Sequence, residues 1–443
     1  MAEKVGMVSL GCAKNLVNGE QMLWLLREAG YELVSDLAET EVLIVNTCAF
    51  IDSAKQEAID TILEFAELKK EGKLKKLLVT GCLSQRYREE ILRELPEVDG
   101  VLGTGSYDEI VPAVAAALAG ETPELFGDIS GPVSEAGRVV SSGPGWAYLR
   151  IAEGCDNRCS YCVIPSIRGR YRSRPMENVL REAEALAKDG VKELIVVAQD
   201  ITRYGTDLYG KPRLAELVRA LAKISGIHWI RLHYLYPDLI DDELIDTVAA
   251  EPKVVKYLDI PIQHINDGIL KKMNRRGTGA EIEALLTKLR RRIPGLVLRT
   301  SLITGLPGEG EAEFEELCAF LRRMKLERAG VFAYSPEEGT PAYNMERPDE
   351  ETAAHRAELA VDIQSEIMDE FNAARMGTVL EVLAEGYDRI AECWYGRSYA
   401  DSPEVDGKVF FTGGRPRAGE FIRVRITDTL EGDLVGQAEE AEA

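Results

Sequence analysis

The chain has 443 residues, 45% of them apolar and 29% charged. That balance fits a folded chain with a sizeable core and excludes disordered, fibrous and collagen-like proteins. At roughly 150 residues per domain the length predicts about three domains. The longest apolar run, Ile110 to Ala119, is interrupted by Pro112, far short of the roughly 18 residues a membrane span requires. Glu3 precedes the first apolar run, so no secretory signal and no membrane association are expected and the chain reads as cytoplasmic. With 53 basic and 75 acidic residues the net charge is −22. Such a chain has little non-specific attraction for nucleic acid and favours a basic partner, although charge of this kind also serves solubility alone.

The first third alternates strands and helices. Apolar runs Val5–Leu10, Val42–Val45 and Leu77–Val79 predict buried strands, and the stretches Gly19–Ala29 and Ala54–Lys70 predict helices between them. Strand–helix–strand repetition gives a parallel sheet, here over residues 1–120. Residues 121–144 are rich in Gly, Pro and Ser and read as a linker. A second alternating series fills 145–375. Its expected strands are Ala147–Ile151, Glu193–Ala198, Trp229–Leu235, Tyr257–Ile260, Val297–Ile303 and Val331–Tyr334, separated by helical patterns such as Met176–Lys188 and Glu311–Met324. Six strand–helix units suffice for an open (β/α)6 partial barrel with its site at the strands' C-terminal ends. Over 376–443, the short segments Thr378–Ala384, Lys408–Phe411 and Glu420–Ile426 predict a small all-β module, with an acidic frayed tail from Gln437.

Eight cysteines in a chain without an export signal point to metal or catalysis rather than a disulfide framework. Cys318, on an apolar helix face, and Cys393 stand alone; the other six form two trios. Cys155, Cys159 and Cys162 lie in one loop with spacing Cys-x3-Cys-x2-Cys after the barrel's first strand. Short spacings of this kind let one loop wrap an iron–sulfur cube, and three ligands leave one iron open. A ferredoxin run needs a different first gap and a fourth Cys-Pro, and a structural zinc site wants four ligands with no histidine nearby to supply one. Cys12, Cys48 and Cys82 are 36 and 34 residues apart, each just past an expected strand. In a parallel sheet those ends share one edge, where open α/β sheets bind ligands. Three buried structural cysteines would be the bland alternative.

The loop Gly154-Cys155-Asp156-Asn157-Arg158-Cys159-Ser160-Tyr161-Cys162 resembles that of the S-adenosylmethionine radical enzymes. The segments Val8-Ser9-Leu10-Gly11-Cys12-Ala13-Lys14-Asn15-Leu16-Val17, Asn46-Thr47-Cys48 and Thr80-Gly81-Cys82 resemble the methylthiotransferase family. That family joins an N-terminal cluster domain, a radical barrel and a C-terminal TRAM module of the OB-like kind. Lys14-Asn15-Leu16-Val17, Ile167-Arg168-Gly169 and Arg231-Leu232-His233-Tyr234-Leu235-Tyr236-Pro237 are similar to its RimO-type branch. The branch usually has Asp-Ser where this chain has Asn18-Gly19.

The resemblance implies two [4Fe–4S] clusters, one on Cys12, Cys48 and Cys82 and one on Cys155, Cys159 and Cys162. It also implies S-adenosylmethionine bound near Tyr161, Gln199, Gly305, Gly308 and Glu309, and an external one-electron reductant. The implied reaction places a methylthio group on the β-carbon of an aspartate in a basic small-subunit ribosomal protein, through a 5′-deoxyadenosyl radical. An adenosine of transfer RNA is the alternative substrate within the family, and a two-cluster electron carrier the alternative outside it. Gln199-Asp200 also reads as a helix N-cap, and His264 as a satisfied barrel-end histidine. Of the run Arg168, Arg170, Arg172 and Arg174, at least one is expected at the site. By segment the net charge is −11 over 1–140, −4 over 141–375 and −7 over 376–443. Acidic flanks suit a basic protein better than RNA, so no RNA partner is expected.

Overall fold

The computed structural model describes residues 3–439. Six parallel strands form the first sheet: β1 (Lys4–Ser9), β2 (Glu32–Leu33), β3 (Val42–Thr47), β4 (Lys76–Gly81), β5 (Gly100–Leu102) and β6 (Glu124–Leu125), in the order β2-β1-β3-β4-β5-β6. The expected strands are present, and β6 is an addition: Leu125 pairs with Leu102 inside the segment read as linker. The rest of that segment packs down. Arg138 is buried against Glu20 and Glu182, and Ser141 donates to Glu20 at 2.6 Å. The order of strands changes direction between β1 and β3, the crevice where doubly wound sheets hold ligands.

The first helix runs Ala13–Glu28 and the second Asp52–Lys70. The first therefore starts six residues before its expected onset, directly after Cys12. Polar residues hid that turn: Lys14, Asn15 and Asn18 are all buried there.

The second sheet is β7 (Trp146–Arg150), β10 (Glu193–Val197), β11 (Trp229–Leu232), β12 (Val254–Asp259), β13 (Val297–Thr304) and β14 (Arg328–Ala333) in consecutive parallel order, open between β7 and β14. Between β7 and β10 lies a small antiparallel pair, β8 (Ala152–Glu153) and β9 (Arg172–Ser173). All six expected strands are there. The third ends at Leu232 rather than Leu235, because Tyr234 takes a left-handed backbone (φ 64°). One face of each strand packs on the helices. The other lines a lumen whose walls are Trp146, Tyr148, Ile195, Val197, Trp229, Val255, Tyr257 and Val297.

The C-terminal module is a closed barrel of five strands: β15 (Val379–Asp388), β16 (Cys393–Ser398), β17 (Val409–Thr412), β18 (Phe421–Leu430) and β19 (Asp433–Ala438). The three segments named from sequence pattern fall on β15, β17 and β18. Gly396 and Gly436 obscure β16 and β19; a Cβ at Gly436 would lie 2.5 Å from the carbonyl of Arg425. Gln437 and Ala438 thus belong to a paired strand rather than to a frayed tail; residues 440–443 lie outside the described residues.

The loop after β16 fills the lumen of the second sheet. Ala400 packs on its wall, Tyr257 donates to Asp406 at 2.6 Å, and Ser402 meets His233 Nε2 at 3.1 Å. Buried Glu193 accepts from Arg231 and from Arg397 of the module, both at 2.7 Å. Arg328 reaches Asp401 at 2.7 Å. Glu385, Asp401 and Asp406 are consequently internal counter-ions, and the module's −7 overstates the charge it shows to solvent. Removing one member of a buried ionic network leaves the others uncompensated. Glu193→Gln, which strands Arg231 and Arg397, should cost about 3–5 kcal/mol, to be read from chemical denaturation of the full chain.

Candidate active site

Strand register brings the first trio together. Ser9 pairs with Asn46, Asn46 with Thr80, and Thr47 with Gly81, so Cys48 and Cys82 leave adjacent strands side by side. Gly11, at φ +88°, passes so close to Cys48 that a Cβ would lie 2.7 Å from its Cβ and 2.9 Å from its Sγ. Asn15 knits the first two ends, donating to the carbonyls of Leu10 (2.7 Å), Thr47 (3.2 Å) and Asn46 (3.3 Å). Thr47 Oγ1 donates to the Thr80 carbonyl at 2.6 Å and accepts from Leu83 N–H at 3.2 Å.

Electrostatics divide the trio. Burial opposes ionisation of Cys12, but Lys14, Arg168 and the backbone N–H groups of Asn15 and Lys14 outweigh it and hold the thiol below its ordinary range. Cys12 occupies the N-cap of the first helix, where the helix dipole also favours a thiolate. Burial, with Cys82 and Cys12 beside it, pushes Cys48 up to about 12, and burial raises Cys82 as well.

The second trio surrounds a tight loop. Gly154, at φ +80°, has the backbone of Arg170 where a Cβ would be, so the chain entering Cys155 admits no side chain. Cys155 N–H donates to the Gly169 carbonyl at 3.2 Å and Cys162 N–H to that of Cys159 at 3.0 Å. Burial lifts Cys155 to about 11 and raises Cys162 further. Asn157 closes the loop outward, donating to Asp200 at 2.9 Å and accepting from Arg203 at 3.0 Å.

An ion pair links the segments that carry the two trios. Arg168 Nη2 donates to Cys82 Sγ at 3.3 Å and to Asn15 Oδ1 at 3.0 Å; its Nη1 donates to Asn18 at 2.7 Å and reaches Glu153 at 3.5 Å. Glu153 immediately precedes Gly154-Cys155 and takes a second guanidinium, Arg150, at 2.9 Å. Although burial works against it, Arg168 and Arg150 keep this carboxyl below its usual range. Of the four arginines, Arg168 is the one that reaches a trio sulfur. Arg170 lies exposed on Asp156, Arg172 donates to backbone carbonyls, and Arg174 pairs with Glu135 and Glu182. Asn18, where this chain departs from the branch it resembles, touches the trio through Arg168.

The remaining expected residues divide in two. Gln199 donates to Glu153 at 2.6 Å while its buried Oε1 has no donor. Asp200 is a helix cap, accepting from Thr202 N–H at 3.0 Å. Tyr161 accepts from Arg275 at 3.1 Å, and the same guanidinium lies 3.8 Å from Cys159 Sγ. Gly305, Gly308 and Glu309 take packing roles. A Cβ at Gly305 would collide with Ala353 and one at Gly308 with Lys272, and Glu309 Oε1 accepts from Gly305 N–H at 2.9 Å and from Arg356 at 3.0 Å. His264 accepts from Asn266 N–H at 3.0 Å through Nδ1, while its buried Nε2 lies 3.4 Å from Glu309 without a hydrogen bond, so it is half satisfied. Cys318 is core on its helix and Cys393 is buried in β16.

Among the described residues no three His, Cys, Asp or Glu side chains gather as they would around one ion. The donor set suits a larger object. Each trio is made of free thiols without a fourth protein ligand, and each has one arginine against one of its sulfurs. A multi-iron cube carries the negative charge that such a cation offsets. Arg168, Glu153, Lys14 and Arg275 carry the electrostatics; Arg168 and Lys14 stood in segments that the sequence singled out, whereas nothing in the sequence pointed to Glu153 or Arg275.

Three family matches divide the chain in the same order: Uncharacterized protein family UPF0004 over residues 4–103, Radical SAM superfamily over 149–321, and TRAM domain over 376–438. In the solved structures the fold resembles the radical S-adenosylmethionine methyltransferase TsrM from Kitasatospora setae (TM-score 0.59, 15% identity, covering 77% of this chain and 74% of that one). Fold and site therefore define a radical S-adenosylmethionine enzyme, with that molecule and [4Fe–4S] clusters as cofactors. Ribosomal protein uS12 methylthiotransferase RimO of Lachnoclostridium phytofermentans is 50% identical over 98% of this chain and 100% of its own length. The protein of the same name from Pelotomaculum thermopropionicum is 51% identical over 99% of each. The chain belongs to the RimO family of radical methylthiotransferases.

If each trio serves its own cluster, changing Cys12, Cys48 and Cys82 together to Ala should halve the iron bound after reconstitution. Changing Cys155, Cys159 and Cys162 should do the same and in addition abolish cleavage of S-adenosylmethionine. Cys318→Ala and Cys393→Ser should keep the full iron content, at a stability cost of about 1 kcal/mol for the former. Iron analysis and product chromatography decide both points.

Proposed function

We propose that the enzyme methylthiolates the β-carbon of an aspartate in ribosomal protein uS12, in the cytoplasm, using an external one-electron reductant. The observation that carries this reading is the facing of the two thiol trios across Arg168 and Glu153 in a chain matched over nearly its whole length by uS12 methylthiotransferases. In this reading Cys12, Cys48 and Cys82 hold one cluster, and Cys155, Cys159 and Cys162 the one that binds S-adenosylmethionine. When bound, these groups supply the electron, the hydrogen-abstracting radical, the sulfur and the methyl group.

The chain's own residues orient and enclose. Gln199, anchored on Glu153, offers its free Oε1 to an ammonium group such as that of the methionine end. Tyr161, fixed by Arg275, walls the loop on the other side. Apolar side chains and buried ion pairs line the lumen and the module's loop fills it from below, which keeps water from a reactive carbon centre. In this reading Gly305, Gly308 and Glu309 shape the turn that backs the adenosyl moiety.

The C-terminal module exposes six acids, Glu381, Glu392, Glu404, Glu420, Asp428 and Glu431, against six bases, Arg389, Lys408, Arg415, Arg417, Arg423 and Arg425. Its attraction for a basic protein therefore rests on local acids such as Asp428 and Glu431 at the β18–β19 turn, and salt screens it. Mass spectrometry after turnover should find the methylthio group on uS12 and none on transfer RNA. Binding of uS12 should weaken as salt rises, and the triple change Glu392→Lys, Asp428→Lys and Glu431→Lys should weaken it by several-fold at low salt. Modification of transfer RNA with none on uS12 overturns the reading.

A further inference from the structure

We propose that Lys14 receives the carboxylate of the target aspartate and so selects that side chain against its amide counterpart. The inference rests on the aspartate reading above and names the residue that would enforce it.

Lys14 is only 8% exposed, yet among the described residues its ammonium forms no ion pair. A buried cation without a carboxylate is costly, and chains keep one where a ligand completes it. The neighbouring cations are already engaged. Arg168 is shared among Cys82, Asn15, Asn18 and Glu153, and Arg150 is held by Glu153 and Gln21. Glu153, the nearby carboxylate, has its oxygens taken by Arg150, Arg168, Gln199 and Gly154 N–H.

Position supports the assignment. Lys14 stands in the first turn of the helix that begins at Cys12, and its Nζ lies 3.6 Å from the centre of the Tyr234 ring. Tyr234 follows β11 at the barrel end and belongs to the lumen cluster together with Ala13 and Leu16. The ammonium therefore sits where the cysteine edge of the first sheet meets the lumen of the second. Tyr234 is held at φ 64°, a backbone strained for an aromatic residue, of the kind that gathers at sites of function. A point charge on that platform would hold a carboxylate from outside and leave the adjacent β-methylene facing the space between the trios. An amide in its place would present no charge to Lys14.

The test uses the reconstituted holoenzyme and two forms of uS12, native and with the target aspartate changed to asparagine. Wild type should bind the native form about tenfold or more tighter, a charge-assisted contact being the difference. Lys14→Met should bring the ratio close to one, and Lys14→Arg should retain most of it. Iron content reports that both variants are intact. A Lys14→Met enzyme that keeps the wild-type ratio overturns the inference, whatever happens to turnover. The same holds if its sole defect is a shifted midpoint potential of the N-terminal cluster, which would make Lys14 a counter-charge to the cluster. Failure of wild type to act on uS12 at all is a separate result; it removes the functional reading and this inference together.

Discussion

A buried guanidinium joins the two halves of this site. Arg168 lies 3.3 Å from a sulfur of one trio and 3.5 Å from the carboxylate that introduces the other, so the two sheets cannot separate without breaking it. Its cost of burial is met by Asn15 and Asn18 from one side and by Glu153 from the other. The segment that carries it, Val163 to Arg168, is also packed hydrophobically into the first sheet through Val163 and Ile167. The cysteine loop of the barrel and the cysteine edge of the sheet are thereby parts of one rigid object. Relatives with Asp at position 18 would turn the Arg168–Asn18 contact into an ion pair; this chain keeps a neutral amide there and one negative charge fewer beside Cys82.

The same logic governs the opposite end of the barrel. Lumen residues Glu193, Arg231 and Arg299 are charged, which an apolar core would not tolerate alone. The C-terminal module supplies their complements in Arg397, the carbonyls of Ser398 and Tyr399, and Asp406. Its acidity is thus spent partly on architecture, and the charge that remains for a partner sits on the outer strands and turns.

Much of this was legible in the chain itself. Parallel strands and both trios follow from apolar runs and cysteine spacing, since a parallel sheet has one C-terminal edge. What stayed hidden was set by long-range contacts. The buried Lys14, Asn15 and Asn18 masked the start of a helix, because burial of polar side chains leaves no periodic trace. Gly396 and Gly436 hid two strands of the closed barrel by breaking the alternation. Glu309 looked like a ligand-binding residue from its turn, yet its carboxylate closes that turn on its own backbone and on Arg356 from a helix 47 residues away. The choice of Arg168 among four arginines could not be made from spacing alone.

The position of the lumen plug has a consequence in time. Synthesis proceeds from the N-terminus and domains fold in that order, so all six trio cysteines leave the ribosome well before Tyr399 to Asp406. The loop is fixed only when β19 closes its barrel against β17 and β18. Until then both sheets can stand with their thiols in place and the lumen open from below, which is the interval in which bulky inorganic groups have the widest approach. A message truncated ahead of Asp433 would yield a chain holding every thiol but lacking the strand that closes the module's barrel.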